Sequence, residues 1–143
     1  MYKIMVNYWF CVTNGENWKT IKQKLIWGIP KRYCKLIEKV KNEDFLVFYL
    51  RPKRIAGIFQ VNSGTFYDDT KVFSSKGFRS KETFPRRMKV KPIHVLEEPI
   101  SIEGFIPQLK FIISKGKWGG YFRRAMFLIP KEDYDLISKA IFK

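Results

Sequence analysis

The apolar pattern of the first 25 residues predicts a strand followed by a helix. The segment from Val6 to Thr13, VNYWFCVT, is rich in aromatic and β-branched residues, which is typical of a buried strand. Asn14-Gly15 ends this pattern, because both residues favour turns. Trp18, Ile21 and Leu25 then recur at helical spacing and predict a short helix.

The next residues, WGIP from Trp27 to Pro30, predict a rigid turn that leads into a second helix. Pro30 suits the first turn of a helix, where its missing N–H has no intrahelical partner to lose. One apolar face is predicted for this helix, formed by Tyr33, Leu36, Ile37 and Val40. The basic residues of the same segment lie largely off that face: Lys31, Arg32, Lys35 and Lys39.

The middle of the chain predicts strands. FLVFYL (residues 45–50) and IAGIFQV (residues 55–61) form a hairpin whose tip, RPKR, is strongly basic. A polar stretch follows over residues 62–84, and RRMKVKPIHVL (residues 86–96) then alternates as a long strand. This alternation places Met88 and Val90 on one face and the basic residues on the other: Arg87, Lys89 and Lys91.

The last third predicts two helices with a strand between them. Helical spacing relates Ile102, Phe105, Ile106 and Leu109, YFRRAMFLI (residues 121–129) is a strand, and Pro130 opens the final helix. Strands that cluster without βαβ alternation favour an α+β fold, with a barrel-like sheet flanked by helices. No linker or repeat interrupts the pattern, so we expect a single domain over residues 1–143.

Charge and aromatic content change this picture most. The chain has 143 residues, 17% of them aromatic, and a formal net charge of +15. A basic domain of this kind attracts polyanions, either nucleic acid or an anionic membrane surface. The longest strongly apolar run, Phe45–Leu50, is too short to span a bilayer, and no secretory signal is evident at the N-terminus. We therefore expect a soluble, cytoplasmic protein.

Catalytic motifs are scarce in the sequence. It contains one histidine, two cysteines and no phosphate-binding or nucleophile-elbow glycine motif. Asp68-Asp69 is the main candidate for a metal-dependent nuclease, but the pair lies where a turn is expected, and turns favour Asp. We expect no metal, no cofactor and no enzymatic activity. The alternatives are a nuclease or base-modifying enzyme, and a protein-binding adaptor.

Six segments taken in order resemble the EVE family, closest to its small stand-alone prokaryotic and archaeal type. They are NYWFCVT, WGIPKRYCKLIEKVKNEDFLVFYL, IAGIFQV, FYDDTKVF, FPRRMKVKPI and KGKWGGYFRRAMFLIPKEDYDLI. The resemblance spans essentially the whole chain and implies a PUA-like fold related to YTH domains. It also implies a nucleic-acid-binding domain that holds a flipped, modified base in an aromatic pocket. The chain departs from the family by Glu43-Asp44 for Gly-Asp, by Phe73 for Trp, and by the long basic segment SSKGFRSKETF.

The resemblance makes Trp27 the first candidate wall of a base pocket; the alternative is an ordinary core tryptophan. Phe73 is the second wall, with Phe78 as its substitute. Asn14 and Asn17, with Thr13, are candidates for reading the base edge, because an amide carries both a donor and an acceptor. Helix N-capping is the alternative role for the asparagines. Trp118 is a further stacking candidate or a cover for the barrel.

Clusters of basic residues are candidates for phosphate contacts, although such clusters often form a merely solvated face. The predicted contacts to nucleic-acid backbone are Arg51, Lys53, Arg54, Arg86, Arg87, Lys117, Arg123 and Arg124.

Overall fold

The structure, a computed structural model, describes residues 5–79 and 81–142. Within these residues the strands are β1 Tyr8–Thr13, β2 Ile26–Ile29, β3 Phe45–Leu50, β4 Arg54–Val61, β5 Phe66–Tyr67, β6 Arg86–Ser101 and β7 Met126–Ile129. The α-helices are α1 Gly15–Lys24, α2 Cys34–Ile37 and α3 Lys131–Ile141, and two 3-10 helices span Glu103–Gln108 and Lys115–Arg123. None of the helices in this described part of the chain is long and apolar enough to cross a membrane.

The strands form one strongly curved sheet. Its order is β2-β6-β4-β3-β1-β7, and β5 adds to β6. Strands β1 and β3 are parallel, whereas the other pairs are antiparallel. Register shifts between β4 and β6 mark irregularities of the kind that bend a sheet. The predicted α+β fold, a barrel-like curved sheet with flanking helices, is confirmed.

Two apolar clusters lie on opposite sides of β1. Trp9 and Cys11 belong to the first cluster, while Phe10 and Val12 belong to the second, as the period of two in a strand requires. The first cluster also contains residues of α1 and β2, and the second contains the apolar face of α3. The candidate pocket residue Trp27 lies in the first cluster.

The predicted turn at WGIP is wrong, because residues 26–29 form a strand. Trp27 pairs with Met88 and Gly28 pairs with Arg87, so the ladder with β6 holds this segment extended. The second helix does not begin at Pro30 and is only four residues long, Cys34–Ile37. The tertiary pairing of β2 therefore overrides the local turn signal of Gly28 and Pro30.

The final predicted strand is also shorter than expected. Residues 121–123 belong to the second 3-10 helix, and β7 begins only at Met126. Another difference concerns β6: Arg87 is only 1% exposed, whereas Lys89 and Lys91 face solvent. Arg87 shares one side of the strand with these two lysines, but it is buried because carbonyls of residues 70–84 cover its guanidinium.

Candidate nucleic-acid interface

Strand β2 brings Trp27 to the edge of a small cavity. Trp27 is 3% exposed, and its ring meets Phe48 edge-on at 5.2 Å and Phe73 at 6.4 Å between centroids. The adjacent cavity, called here the aromatic pocket, has a volume of about 10 Å³. It is lined by Val12, Asn17, Trp27, Gly28, Pro30, Phe78, Phe84 and Ala125. A space of that size holds about one water molecule and is too small for a base.

Gly28 allows the pocket wall to approach β2 closely. A Cβ at this position would lie 2.5 Å from the Phe84 carbonyl oxygen and 2.9 Å from the Phe73 ring. Phe84 itself has φ of 54°, an uncommon conformation for a bulky residue. Its carbonyl is held in place by Arg87 Nε, which donates to it at 3.1 Å. The packing at this wall therefore requires glycine.

Phe78 is one of the residues that line the aromatic pocket. Its ring packs on Phe84 at 5.3 Å, and the Arg51 guanidinium lies 4.5 Å from its ring centroid. Arg51 Nη1 also donates to the carbonyl of Gly77 at 2.9 Å. Arg51 thus holds Phe78 by a cation–π contact and by a bond to the preceding residue.

Above the aromatic pocket lies a larger cavity of about 500 Å³, called here the arginine cavity. Four arginines line it: Arg32, Arg51, Arg79 and Arg123. Its remaining lining residues include Pro30, Phe78, Phe84 and Ala125, which also line the aromatic pocket, so the two cavities are adjacent. Among the described residues that line the arginine cavity, none is acidic. Such a cleft concentrates positive potential and attracts anions.

The four arginines come from four separate segments of the chain. Arg51 follows β3, Arg32 follows β2, Arg79 lies between β5 and β6, and Arg123 ends the second 3-10 helix. Arg51 is half-buried, and this burial lowers the pKa of its guanidinium. Arg51 and Arg123 were predicted from sequence as phosphate contacts, whereas Arg32 and Arg79 were missed. The basic segment SSKGFRSKETF carried the signal for Arg79.

Both asparagines brace the segment that leads to Phe78. Asn14 caps α1, since its Oδ1 accepts from Asn17 N at 2.8 Å, and its Nδ2 donates to the Lys76 carbonyl at 3.1 Å. Asn17 is paired twice with Ser74: its Oδ1 accepts from the amide at 2.7 Å and its Nδ2 donates to the carbonyl at 2.8 Å. The capping role predicted as the alternative for Asn14 is confirmed. Base reading by either amide stays a prediction that requires these bonds to open.

The third polar candidate, Thr13, is fully buried beside Asn14. Its Oγ1 lies 3.4 Å from the Asn14 carbonyl oxygen, to which it donates. Thr13 is not among the residues that line the aromatic pocket. Contact of Thr13 with a base stays a prediction.

Arg87 is a buried bracing residue in this structure. Its Nη2 donates to the carbonyls of Thr70 and Thr83 at 2.5 and 2.9 Å, and its Nε donates to Phe84. Its Nη1 lies 3.5 Å from Asp68 Oδ1. The guanidinium therefore ties both ends of the 70–84 segment to β6, and it is not exposed for a phosphate to reach.

Asp68 has a local structural role as well. Its Oδ1 accepts from Thr70 N at 2.9 Å, as in an Asx turn. The hydroxyl and the amide of Thr70 lower the pKa of Asp68, and the positive charge of Arg87 lowers it further. Among residues 5–79 and 81–142, no group of three or more His, Cys, Asp or Glu side chains could hold a metal ion.

Trp118 is not brought together with Trp27. It packs against Phe122 at 6.0 Å in the second apolar cluster, and Lys53 Nζ lies 5.7 Å from its ring centroid. Lys53 also pairs with Glu103 at 3.8 Å. These residues lie outside both cavities defined above.

The other predicted phosphate contacts are dispersed. Arg54 Nη2 donates to the Arg51 carbonyl at 3.3 Å, and Arg86 Nε donates to the Lys31 carbonyl at 3.1 Å. Lys117 and Arg124 line a separate open cavity of about 570 Å³. Contact of these residues with phosphate stays a prediction.

A family model described as the EVE domain matches residues 7–140. The chain belongs to the EVE family. A UPF0310 protein of Pyrococcus abyssi is 40% identical over 146 residues, which cover 95% of this chain and 100% of that protein.

Solved structures share the EVE chain's fold at low sequence identity. A hypothetical protein from Leishmania major superposes with a TM-score of 0.66 at 14% identity, covering 96% of each chain. The YTH domain of the Zygosaccharomyces rouxii MRB1 protein, in complex with N6-methyladenosine RNA, superposes with a TM-score of 0.59 at 18% identity, covering 97% of this chain and 91% of that one. At these identities the likeness shows the fold alone.

Proposed function

We propose that this EVE domain is a non-catalytic nucleic-acid reader. Its arginine cavity holds the phosphates of an RNA or DNA strand, and one flipped base enters the aromatic pocket beneath. The observation that carries this proposal is the adjacency of the two cavities, since Phe78 and Phe84 line both. An anion site directly above aromatic walls matches the two chemical parts of a nucleotide, its phosphate and its base.

Entry of a base requires Phe78 to move, because the aromatic pocket has a volume of only about 10 Å³. Arg51 contacts Phe78 and Gly77 and also lines the arginine cavity. A phosphate bound there competes for the guanidinium and loosens its hold on Gly77 and Phe78. Flipping a base costs a few kcal/mol, and each stacking contact in the pocket returns about 1–3 kcal/mol.

A modified base is the favoured occupant. The fold is shared with a YTH domain whose structure contains N6-methyladenosine RNA, and aromatic walls suit the added methyl group. A panel of single-stranded oligonucleotides, each with one modified base at its centre, identifies the preferred base and distinguishes RNA from DNA.

The test of the proposed function measures fluorescence anisotropy of labelled oligonucleotides over a range of salt concentrations. We expect log affinity to fall linearly with log salt, by roughly 0.7 per neutralised phosphate on a single strand. Arg79→Gln and Arg123→Gln should each reduce that slope by about this amount if each residue holds one phosphate.

Lys139→Gln is the matched control, because Lys139 is exposed on α3 and is not a lining residue of the arginine cavity. It removes the same charge and should leave the slope unchanged. If all three variants reduce the slope equally, binding depends only on the net charge of the protein. The arginine cavity would then not be the phosphate-binding site.

A further inference from the structure

Trp27 carries a buried hydrogen-bond donor for which the described residues provide no acceptor. Among the described residues, its Nε1 is the only fully buried side-chain nitrogen or oxygen without a hydrogen-bond partner. Trp9 shows the usual arrangement, since its Nε1 donates to Asp44 Oδ2 at 2.9 Å. A buried donor without an acceptor is unfavourable in the free protein, so its presence calls for an explanation.

The surroundings of Trp27 offer no acceptor to this donor. The aromatic pocket beside it is lined almost entirely by apolar side chains and glycine. Its one polar side chain is that of Asn17, and both ends of that amide are already bonded to the backbone of Ser74. A ligand bound in the pocket can supply the acceptor that the described residues do not.

We propose that Trp27 Nε1 is a specificity-determining donor. It selects bases that carry a hydrogen-bond acceptor on the edge that enters the pocket, and this acceptor is either a ring nitrogen or a carbonyl oxygen. This inference rests on the proposed function and adds a polar requirement to the stacking role of the aromatic walls. A base that presents only C–H or N–H groups on that edge leaves the donor unsatisfied and is rejected. The assignment differs from the prediction that asparagine amides read the base.

The test removes the donor and keeps the ring. Trp27 is replaced by 3-benzothienylalanine, in which sulfur stands in place of the N–H group at nearly unchanged shape. Affinity is measured for RNA and DNA 9-mers with one central adenine, N6-methyladenine, cytosine or 5-methylcytosine. We expect affinity for the preferred base to fall about tenfold and the preference over the other bases to shrink by the same factor.

The unliganded variant should melt at the same or a higher temperature, because an unsatisfied buried donor has been removed. The same replacement at Trp9 is the control: it breaks the bond to Asp44, lowers the melting temperature and leaves base preference intact. In the unreplaced protein labelled with ¹⁵N, the Trp27 indole proton should move downfield when the preferred oligonucleotide binds, while the Trp9 signal stays in place.

The outcomes separate this inference from the proposed function. Base preference that survives the replacement at Trp27 within twofold overturns the donor role and leaves the reader function standing. No preference among the four bases in the unreplaced protein overturns both, because the pocket then takes no base.

Discussion

Replacement of Arg87 by Met distinguishes a bracing arginine from one that binds phosphate. The guanidinium donates to three backbone carbonyls and pairs with Asp68. Of the three carbonyls, only that of Phe84 belongs to a buried residue, at 4% exposure. Left without a partner, this carbonyl costs about 1–3 kcal/mol, and the bonds to Thr70 and Thr83 add roughly 0.5–1.5 kcal/mol each. We expect Arg87→Met to lower the free energy of unfolding by about 3 kcal/mol.

Urea unfolding followed by circular dichroism measures this loss, and anisotropy on the same samples measures the salt dependence of binding. Arg123→Met is the matched variant, because Arg123 is exposed and lines the arginine cavity. Its unfolding free energy should stay within about 0.5 kcal/mol of the wild type. Its salt slope should weaken by roughly 0.7, as for the loss of one phosphate contact.

Arg87→Lys keeps the charge and is expected to lose less stability than Arg87→Met, because an ammonium cannot reach all three carbonyls at once. Unfolding of Arg87→Met within 0.5 kcal/mol of the wild type would refute the bracing role. If folded Arg87→Met shows a weaker dependence of log affinity on log salt than the wild type, Arg87 contacts a phosphate, as the sequence predicted.

Two further predictions concern the walls of the aromatic pocket and the turn beside it. Gly28→Ala places a methyl group 2.5 Å from the Phe84 carbonyl oxygen, which Arg87 holds in place by a hydrogen bond. We therefore expect the free energy of unfolding, measured in urea, to fall by about 1–3 kcal/mol. Gly15→Ala is the control, because a Cβ at Gly15 meets no other atom. The pKa of Asp68 is lowered in the folded state, so its contribution to stability is present above about pH 4 and is lost as pH falls further. Asp68→Asn should therefore flatten the acid limb of a melting-temperature titration, and an unchanged limb would contradict this assignment.

Sequence patterns determined most of the strands and the fold class. The segments around β1, β3 and β4 are continuous runs of aromatic and β-branched residues. A strand that is buried on both faces can be recognised from such a run, because nearly all of its residues are apolar. The first helix was also predictable, because Trp18 and Ile21 form its buried face and Asn14 is its cap.

The sequence did not predict β2, because the extended conformation of this segment depends on a strand that is distant in the chain. Residues 26–29 read locally as a turn before a helix, but their extended conformation is fixed by pairing with residues 86–89 of β6. The same pairing buried Trp27, which was predicted from family resemblance as a pocket wall and which also packs in the core against Phe48.

Only the tertiary structure distinguished between arginines that look alike in the sequence. Arg86 and Arg87 are neighbours on one strand, and the period of two places them on opposite sides of it, but burial of Arg87 is due to the 70–84 segment that covers it. Arg87 is stabilised there by carbonyls of the 70–84 segment, whose path no local pattern predicts. Arg32, Arg51, Arg79 and Arg123 converge on one cavity from four segments far apart in the chain. Charge content is a property of composition, whereas the convergence of charges depends on long-range packing, which the folded chain alone supplies.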